Sequence, residues 1–264
     1  MYSFNYHRPL SLQEAAQFLS AASDGKLMGG GMTLIPTLKQ RLANPSDLID
    51  LGGIADLSGI EAKGDTIVIG ATTTHAEVAA SEVVKKQIPA LAALAESIGD
   101  PQVRNRGTIG GSIANNDPAA DYPAGMLGLG ATIKTDRRQI PADDFFTGMF
   151  ETALEDGEIV TAVSVPVPKK AAYAKFPNPA SRYAVVGVMV AQGPAGTRVA
   201  VTGAGPGVFR VAEMEKALDK TFSANAIEGI SVPATNLNAD IHASAEYRAH
   251  LVGVMARRAV AAAG

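Results

Sequence analysis

The residues from Ile98 to Pro123 combine, in one short stretch, groups that could bind an anionic ligand. They read IGDPQVRNRGTIGGSIANNDPAADYP and hold a basic pair, two adjacent glycines and three aspartates. Large apolar side chains are scarce here, so the stretch would be hard to bury as ordinary core. The hydroxyls of Thr108 and Ser112 flank Gly110 and Gly111 and add further hydrogen-bond donors. We therefore expect this stretch to contact a ligand.

A second glycine cluster, with similar chemistry, precedes the first by about 80 residues. Met28 to Pro36 reads MGGGMTLIP. Glycines in series allow backbone N–H groups to approach a ligand closely and to point together at an anion. The two clusters predict one phosphate-bearing ligand held from two sides, and a diphosphate suits them because it needs donors on both phosphates. The alternative for each cluster is a tight glycine turn without a ligand.

Neither cluster matches the common phosphate-binding motifs. A dinucleotide-binding Rossmann fold requires G-x-G-x-x-G after its first strand, and a P-loop requires G-x-x-x-x-G-K-[ST]. The first cluster reads G-G-G-M-T instead. The sequence therefore indicates neither of these two ways of binding a nucleotide.

Three charged residues of the longer stretch have two interpretations each. Asp121 could accept a hydrogen bond from a ligand hydroxyl or ring N–H, or it could cap the helix that follows it. Arg104 and Arg106 could steer an anionic cofactor or brace the loop, and we favour the brace. Few other side chains suited to catalysis are present, which is typical of a protein whose cofactor carries the chemistry.

The overall composition excludes several classes of protein. An apolar fraction of 47% and a charged fraction of 19% are typical of a globular protein. The length of 264 residues exceeds the usual size of a single core and predicts two or three subdomains. A net charge of −3 provides no electrostatic footprint for nucleic acid. Cysteine is absent, which excludes thiolate catalysis and any Cys-ligated iron–sulfur cluster carried by this chain. If electrons move through such a cluster, another polypeptide must hold it.

Metal binding and membrane insertion are not predicted either. The histidines, His7, His75, His242 and His250, lack metal-ligand spacing, so we expect them to be surface or structural residues. The N-terminus has no basic region followed by an apolar one, and no apolar run is long enough to span a bilayer. We expect a soluble, cytoplasmic protein.

The hydrophobic pattern predicts short, mixed elements. Ser11 and Glu14 predict a capping box at the start of a helix. The segments 60–62 and 66–70 predict a hairpin. Prolines mark a boundary near residues 166–170, beyond which strand and helix signals alternate up to an alanine-rich C-terminal helix. Short elements of both kinds favour an α+β fold over a doubly wound parallel sheet.

Both glycine clusters resemble the FAD-binding motifs of one protein family. The first, GGGMTLIPTLKQR, is similar to the first motif of the flavoprotein (medium) subunits of molybdenum hydroxylases, the family of xanthine dehydrogenase, carbon monoxide dehydrogenase and aldehyde oxidoreductase. The second resembles the second motif closely, with the pattern I-R-N-R-G-T-x-G-G-x-x-x-x-x-D-P-x-x-D-x-P. Segments 183–188 and 203–206 are similar to the small C-terminal domain of these subunits, so the resemblance covers essentially the whole chain.

The resemblance implies which residues contact FAD. The diphosphate would be held from one side by Gly29, Gly30, Gly31, Met32, Thr33, Leu34 and Ile35, and from the other by Thr108, Ile109, Gly110, Gly111 and Ser112. Asp121 matches the acid that contacts FAD in the family, and Ile98 falls near the adenine. Ile159 or Val160 would line the flavin pocket, and Tyr183 would approach the isoalloxazine. Met32 replaces the usual polar residue, so only its backbone role is implied.

The resemblance also implies a domain organisation and partners. A two-subdomain PCMH-type FAD-binding domain would cover residues 1–167, with subdomains of about 1–54 and 55–167. A small α/β domain of the CO dehydrogenase flavoprotein C-terminal type would cover 168–264. A large molybdopterin subunit would oxidise the substrate and a small [2Fe-2S] subunit would relay electrons, in a dimer of heterotrimers.

The chain itself would then carry FAD, collect electrons from the iron–sulfur partner and pass them to an external acceptor. No catalytic side chain is expected, because the chemistry takes place on FAD. Two alternatives remain at this point. One is a self-sufficient FAD-dependent oxidoreductase that uses NAD(P)H, and the other is a non-enzymatic nucleotide-binding module.

Overall fold

The N-terminal region is a small parallel sheet with two helices. The computed structural model describes residues 1–263. The central strand β3 pairs with β1 on one side and with β2 on the other. The elements of this region are β1 Asn5–His7, α1 Leu12–Ala21, β2 Gly25–Met28, α2 Leu34–Lys39 and β3 Asp47–Asp50, followed by 3-10 turns at Leu51–Gly53 and Ala55–Leu57.

Helix α1 begins where the sequence predicts it. The Ser11 hydroxyl accepts a hydrogen bond from the Glu14 N–H at 3.2 Å. The Glu14 carboxylate accepts from the Leu10 N–H at 2.8 Å and not from that of Ser11, so the predicted capping box is only half formed. Ala15 and Ile49 are fully buried between the helix and the sheet. This packing fixes β2, whose end leads into the first glycine cluster.

The second region is built on a five-stranded antiparallel sheet of order β4-β5-β10-β6-β7. The predicted hairpin is confirmed, because Ile60 pairs with Ile69 and Lys63 with Thr66. The elements of this region are β4 Ile60–Lys63, β5 Thr66–Gly70, α3 His75–Ala80, α4 Glu82–Gln87, α5 Pro89–Glu96, α6 Pro101–Arg104, α7 Ile109–Asn115, α8 Asp121–Leu129, β6 Thr132–Thr135, β7 Gln139–Pro141, α9 Ala142–Phe145, β8 Phe146–Gly148, β9 Glu151–Thr152 and β10 Val160–Pro166.

Helix α8 is buried on every side, from Asp121 to Leu129. It packs against α5 and also against two strands of the next region, Ala184–Gly193 and Gly196–Thr202. Its sequence, DYPAGMLGL, is apolar all round after the first residue, as expected of a helix inside a protein. The large hydrophobic cluster around it, which includes Met126, also takes in Met189 and Ala200 from the C-terminal sheet.

The C-terminal region is an antiparallel sheet of order β11-β12-β13-β14 with two principal helices. It is joined to the preceding region by the Gly203 N–H, which donates to the Pro118 carbonyl at 2.8 Å. The elements of this region are β11 Lys170–Pro177, β12 Ala184–Gly193, β13 Gly196–Thr202, β14 Phe209–Arg210, α10 Ala212–Lys220 and α11 Ala245–Ala263, with 3-10 turns at Ala224–Ile227 and Ala234–Asn236.

The architecture confirms the predicted α+β fold. Both larger sheets are antiparallel, and helices and strands are segregated in the second region. Across residues 1–263, none of the helices is both long enough and apolar enough to cross a membrane.

Candidate functional site

A cavity of about 660 Å³ lies where the three regions meet. Its wall is formed by the segment after β2, by α7 and the start of α8, and by the turn after β11. All of the residues implied by the resemblance line it except Ile35 and Ile109. Those that do are Gly29, Gly30, Gly31, Met32, Thr33, Leu34, Ile98, Thr108, Gly110, Gly111, Ser112, Asp121, Ile159, Val160 and Tyr183.

The first glycine cluster presents a row of free backbone donors. Gly31 has a φ of +74°, the left-handed conformation that, beside right-handed neighbours, can turn successive N–H groups toward one anion. No acceptor among residues 1–263 takes a hydrogen bond from the N–H groups of Gly30, Gly31, Met32, Thr33 and Leu34. Such a row is a backbone site for an anion.

The second glycine cluster differs from the prediction in its backbone. The predicted row of free amides is wrong for four of the five residues, because the N–H groups of Ile109, Gly110, Gly111 and Ser112 already donate within the protein. The donors and acceptors are Ile109 to Thr73, Gly110 to Ala71, and Gly111 and Ser112 to Thr108. These four residues therefore offer no free amide, and the segment contributes mainly the hydroxyl groups of Thr108 and Ser112.

The two clusters lie against each other and not on opposite sides of a gap. A methyl group on Gly30 would lie 1.6 Å from the Arg106 carbonyl oxygen. One on Gly110 would lie 2.6 Å from the Ala71 carbonyl oxygen. Glycine is needed at both positions because backbone approaches backbone, not because a side chain would fill the cavity.

Asp121 is held by two side chains from the C-terminal region. The Tyr173 hydroxyl donates to Asp121 Oδ1 at 2.5 Å, and the Lys175 ammonium donates to Oδ2 at 2.9 Å. Burial raises the pKa of the Asp121 carboxyl, while the charge of Lys175 and the Tyr173 hydrogen bond oppose that rise. The carboxylate does not act as the N-cap of α8, whose N-cap residue is Ala120.

The apolar part of the wall comes from three places. Ile98 follows α5, and Ile159 and Val160 lie at the entry to β10, both buried. Tyr183 is 45% exposed at the mouth, in the turn after β11. The side chain of the neighbouring Arg182 donates to the Gly99 carbonyl at 3.2 Å and so ties this turn to the second region.

The two predicted residues outside the wall have structural positions. Ile109 is fully buried in the core of the second region. The Ile35 N–H donates to the Gly31 carbonyl at 2.9 Å, and its side chain packs beneath Gly31. Both residues support a glycine cluster from behind. They do not reach the cavity.

The two arginines differ in their contacts. Arg104 braces the loop, since its guanidinium donates to the carbonyl oxygens of Ile98 and Gly99 at 3.0 and 3.3 Å. It also pairs with Glu96 at 3.3 Å. The Arg106 side chain is exposed, and its carbonyl covers Gly30. The brace that we favoured is therefore confirmed for Arg104.

His75 is a wall residue that the sequence did not single out. It opens α3 and is only 5% exposed. Burial, with a smaller contribution from the charge of Arg104, lowers its pKa to about 4. Its Nδ1 atom is buried without a hydrogen-bond partner in the described chain. The only sequence signal was its position after a run of threonines at a helix start.

These features fit a cofactor in which an anionic group is linked to planar ring systems. The free amides suit the phosphates, Asp121 provides a buried acceptor, and the apolar wall suits ring systems. The fold and the site together define a nucleotide-cofactor protein that is neither a Rossmann nor a P-loop type.

Comparison with known proteins defines the family. Residues 2–168 match the model described as "FAD binding domain in molybdopterin dehydrogenase", and residues 171–263 match "CO dehydrogenase flavoprotein C-terminal domain". The nicotine 6-hydroxylase medium subunit of Paenarthrobacter nicotinovorans is 36% identical over 99% of this chain and 98% of its own. The carbon monoxide dehydrogenase medium chain of Hydrogenophaga pseudoflava is 37% identical over 98% and 96%.

Solved structures give the same result. Carbon monoxide dehydrogenase from Hydrogenophaga pseudoflava superposes with a TM-score of 0.89 at 37% identity, covering 98% of this chain and 96% of that one. Quinoline 2-oxidoreductase from Pseudomonas putida 86 has a TM-score of 0.89 at 29% identity, covering 99% and 96%. The chain belongs to the family of FAD-binding medium subunits of molybdenum hydroxylases. It is an oxidoreductase subunit whose cofactor is FAD.

Proposed function

We propose that this chain takes electrons from a [2Fe-2S] partner and passes them to an external acceptor. The observation that carries the proposal is the cavity, in which free amides and a buried acid face an apolar wall. FAD bound there would supply the redox chemistry, since it can accept and release electrons. The chain's own residues bind and orient it.

The binding roles follow from the donors and acceptors present. The amides from Gly30 to Leu34 would hold the diphosphate, together with the hydroxyls of Thr108 and Ser112. Asp121 would accept a hydrogen bond from the cofactor. The apolar and aromatic side chains of the wall, those of Ile98, Ile159, Val160 and Tyr183, would enclose its rings and exclude water.

The proposed partners follow from what this chain lacks and from its relatives. A chain without cysteine offers no thiolates for an iron–sulfur cluster. The two relatives described above are named medium subunit and medium chain, in line with a large molybdopterin subunit and a small [2Fe-2S] subunit beside this one. We propose a cytoplasmic complex of these three chains, assembled as a dimer of heterotrimers.

We also propose domain limits. The three-stranded sheet lies within residues 1–54, and the five-stranded sheet ends with β10 inside residues 55–167. The C-terminal sheet begins at Lys170, which supports a domain over 168–264, although Gly264 itself lies outside the described residues.

Spectroscopy of the purified chain, alone and co-expressed with the two proposed partner subunits, tests the function. We expect a yellow protein that retains FAD, that NAD(P)H alone does not bleach, and that co-purifies with both partners. Reduction by the substrate of the complex should then reach this chain only in the presence of the [2Fe-2S] subunit. Bleaching of the isolated chain by NAD(P)H with full turnover would favour the self-sufficient reductase. A colourless chain without FAD uptake would leave only a nucleotide-binding module.

A further inference from the structure

Tyr173 and Lys175 form a buried cluster with Asp121 that crosses from the C-terminal sheet to the cavity wall. The two residues lie on the same side of strand β11, two positions apart. The Lys175 side chain is 7% exposed and that of Asp121 is 4% exposed. The Lys175 ammonium also donates to the Ser97 carbonyl at 3.1 Å, so it is fixed at two points. Asp121 lines the cavity, whereas Tyr173 and Lys175 stand behind it.

The charges around Asp121 decide whether it is ionised. The tyrosines that face it, Tyr122, Tyr173 and Tyr183, are neutral at physiological pH, and burial raises the pKa of each above its ordinary value of about 10. The charge of Asp117, like that of Asp121, raises the pKa of Tyr183, so Asp117 adds negative charge on the same side. Lys175 is therefore the one cation in direct contact with Asp121 in the described chain. Without it the carboxylate would be a buried anion with no counter-charge, and such a group takes up a proton.

We propose that Tyr173 and Lys175 are positioning residues of the FAD site, which keep Asp121 ionised and aimed at the cofactor as a hydrogen-bond acceptor. The proposal rests on the proposed function, in which Asp121 contacts FAD. Both positioning residues lie beyond residue 168, where the match to the FAD-binding family model ends. The C-terminal domain would thereby contribute to FAD affinity from outside the cavity wall.

The test is the affinity of the full-length chain for FAD as a function of pH. FAD is titrated into the apoprotein and its fluorescence followed between about pH 5.5 and about pH 9, which lies above the ordinary carboxyl pKa of about 4, so titration of a carboxyl within it marks a raised pKa. The variants are Lys175→Met, the charge-preserving Lys175→Arg, Tyr173→Phe and Asp121→Asn. Lys170→Met is the matched control, because Lys170 is exposed on the same strand. Thermal unfolding of each variant separates binding effects from loss of fold.

We expect Lys175→Met to weaken FAD binding about tenfold or more near neutral pH, as for loss of a hydrogen bond to a charged group. The pH midpoint of binding should also move upward, because removal of the cation raises the pKa of Asp121. Lys175→Arg should restore both quantities, and Asp121→Asn should bind weakly without pH dependence. Tyr173→Phe keeps the packing of the ring and should move the pH midpoint of binding upward by less than Lys175→Met does. If Lys175→Met does not fold, Tyr173→Phe still tests the proposal.

Two results would overturn the proposal. The first is a folded Lys175→Met, or in its place a folded Tyr173→Phe, with the affinity and pH profile of the wild type. The second is an equal loss in Lys170→Met. A wild-type chain that binds no FAD would refute the proposed function itself, whereas a wild type that binds FAD beside unaffected variants would refute only this inference.

Discussion

Replacement of Gly30 by alanine should separate the two glycine clusters. The added methyl group would lie 1.6 Å from the Arg106 carbonyl oxygen, whereas ordinary contact begins at 3.4 Å, so the backbones must move apart by about 1.8 Å. The obstacle is main chain and not a flexible side chain, so rotation cannot relieve it. Gly30 also begins the row of free amides, and this movement would disturb their common direction.

The expected cost is divided between stability and binding. Overpacking against a backbone costs about 1–3 kcal/mol of the free energy of unfolding. If two amides lose their alignment, at about 0.5–1.5 kcal/mol each, FAD affinity falls roughly 5- to 150-fold. Gly193→Ala is the matched control, because a methyl group there meets no atom within 4 Å.

The assay is FAD titration of the apoprotein together with urea unfolding of both variants. Gly30→Ala should lose affinity and stability, and Gly193→Ala should keep the affinity of the wild type. The reasoning is refuted if Gly30→Ala binds FAD within about twofold of the wild type and unfolds at the same urea concentration. In that case the two clusters would tolerate separation, and their contact would not set the direction of the amides.

Three further outcomes test other parts of the structure. The Arg138 guanidinium holds the pKa of Glu158 at about 2, below its ordinary 4.5. The pairing of Glu158 with Arg138 therefore contributes fully to stability above about pH 4.5, and this contribution is lost as the pH falls toward 2. The melting temperature of Glu158→Gln should fall less steeply across that window than that of the wild type, and equal slopes would contradict the pairing. The imidazole of His75, with a pKa of about 4, should remain neutral by NMR from about pH 8 down to about pH 5, and titration near its ordinary 6.5 would show that the side chain is solvated. Leu91→Ala should cost about 2–5 kcal/mol in urea unfolding because Leu91 is fully buried, whereas Leu42→Ala, at a position 74% exposed, should stay within about 0.5 kcal/mol.

The features that the sequence predicted correctly are those set by local chemistry or by a specific motif. The start of α1 follows from Ser11, and the 60–70 hairpin follows from alternation around a glycine turn. The motif identified both glycine clusters and Asp121 as one neighbourhood, and the structure brings them to one cavity.

The features that could not be predicted from the sequence depend on contacts between residues far apart in the chain. Tyr173 and Lys175 lie more than 50 residues from Asp121, and their meeting depends on how β11 is docked against the second region. That the Ile109 and Gly110 amides are occupied could not be predicted, because their acceptors, the carbonyl oxygens of Thr73 and Ala71, lie on a segment far earlier in the chain. Local sequence patterns cannot predict either of these contacts.

The burial of helix α8 has a consequence for how the chain unfolds. The helix belongs to the second region, yet its surface is completed by the C-terminal sheet, and one hydrophobic cluster includes both Met126 and Met189. Release of the C-terminal sheet would therefore expose apolar surface on both the helix and the sheet, and it would also separate the charge of Asp121 from its counter-charge. The second region and the C-terminal region should behave as one cooperative unit, with a single calorimetric transition and no stable intermediate in which only one of them is folded.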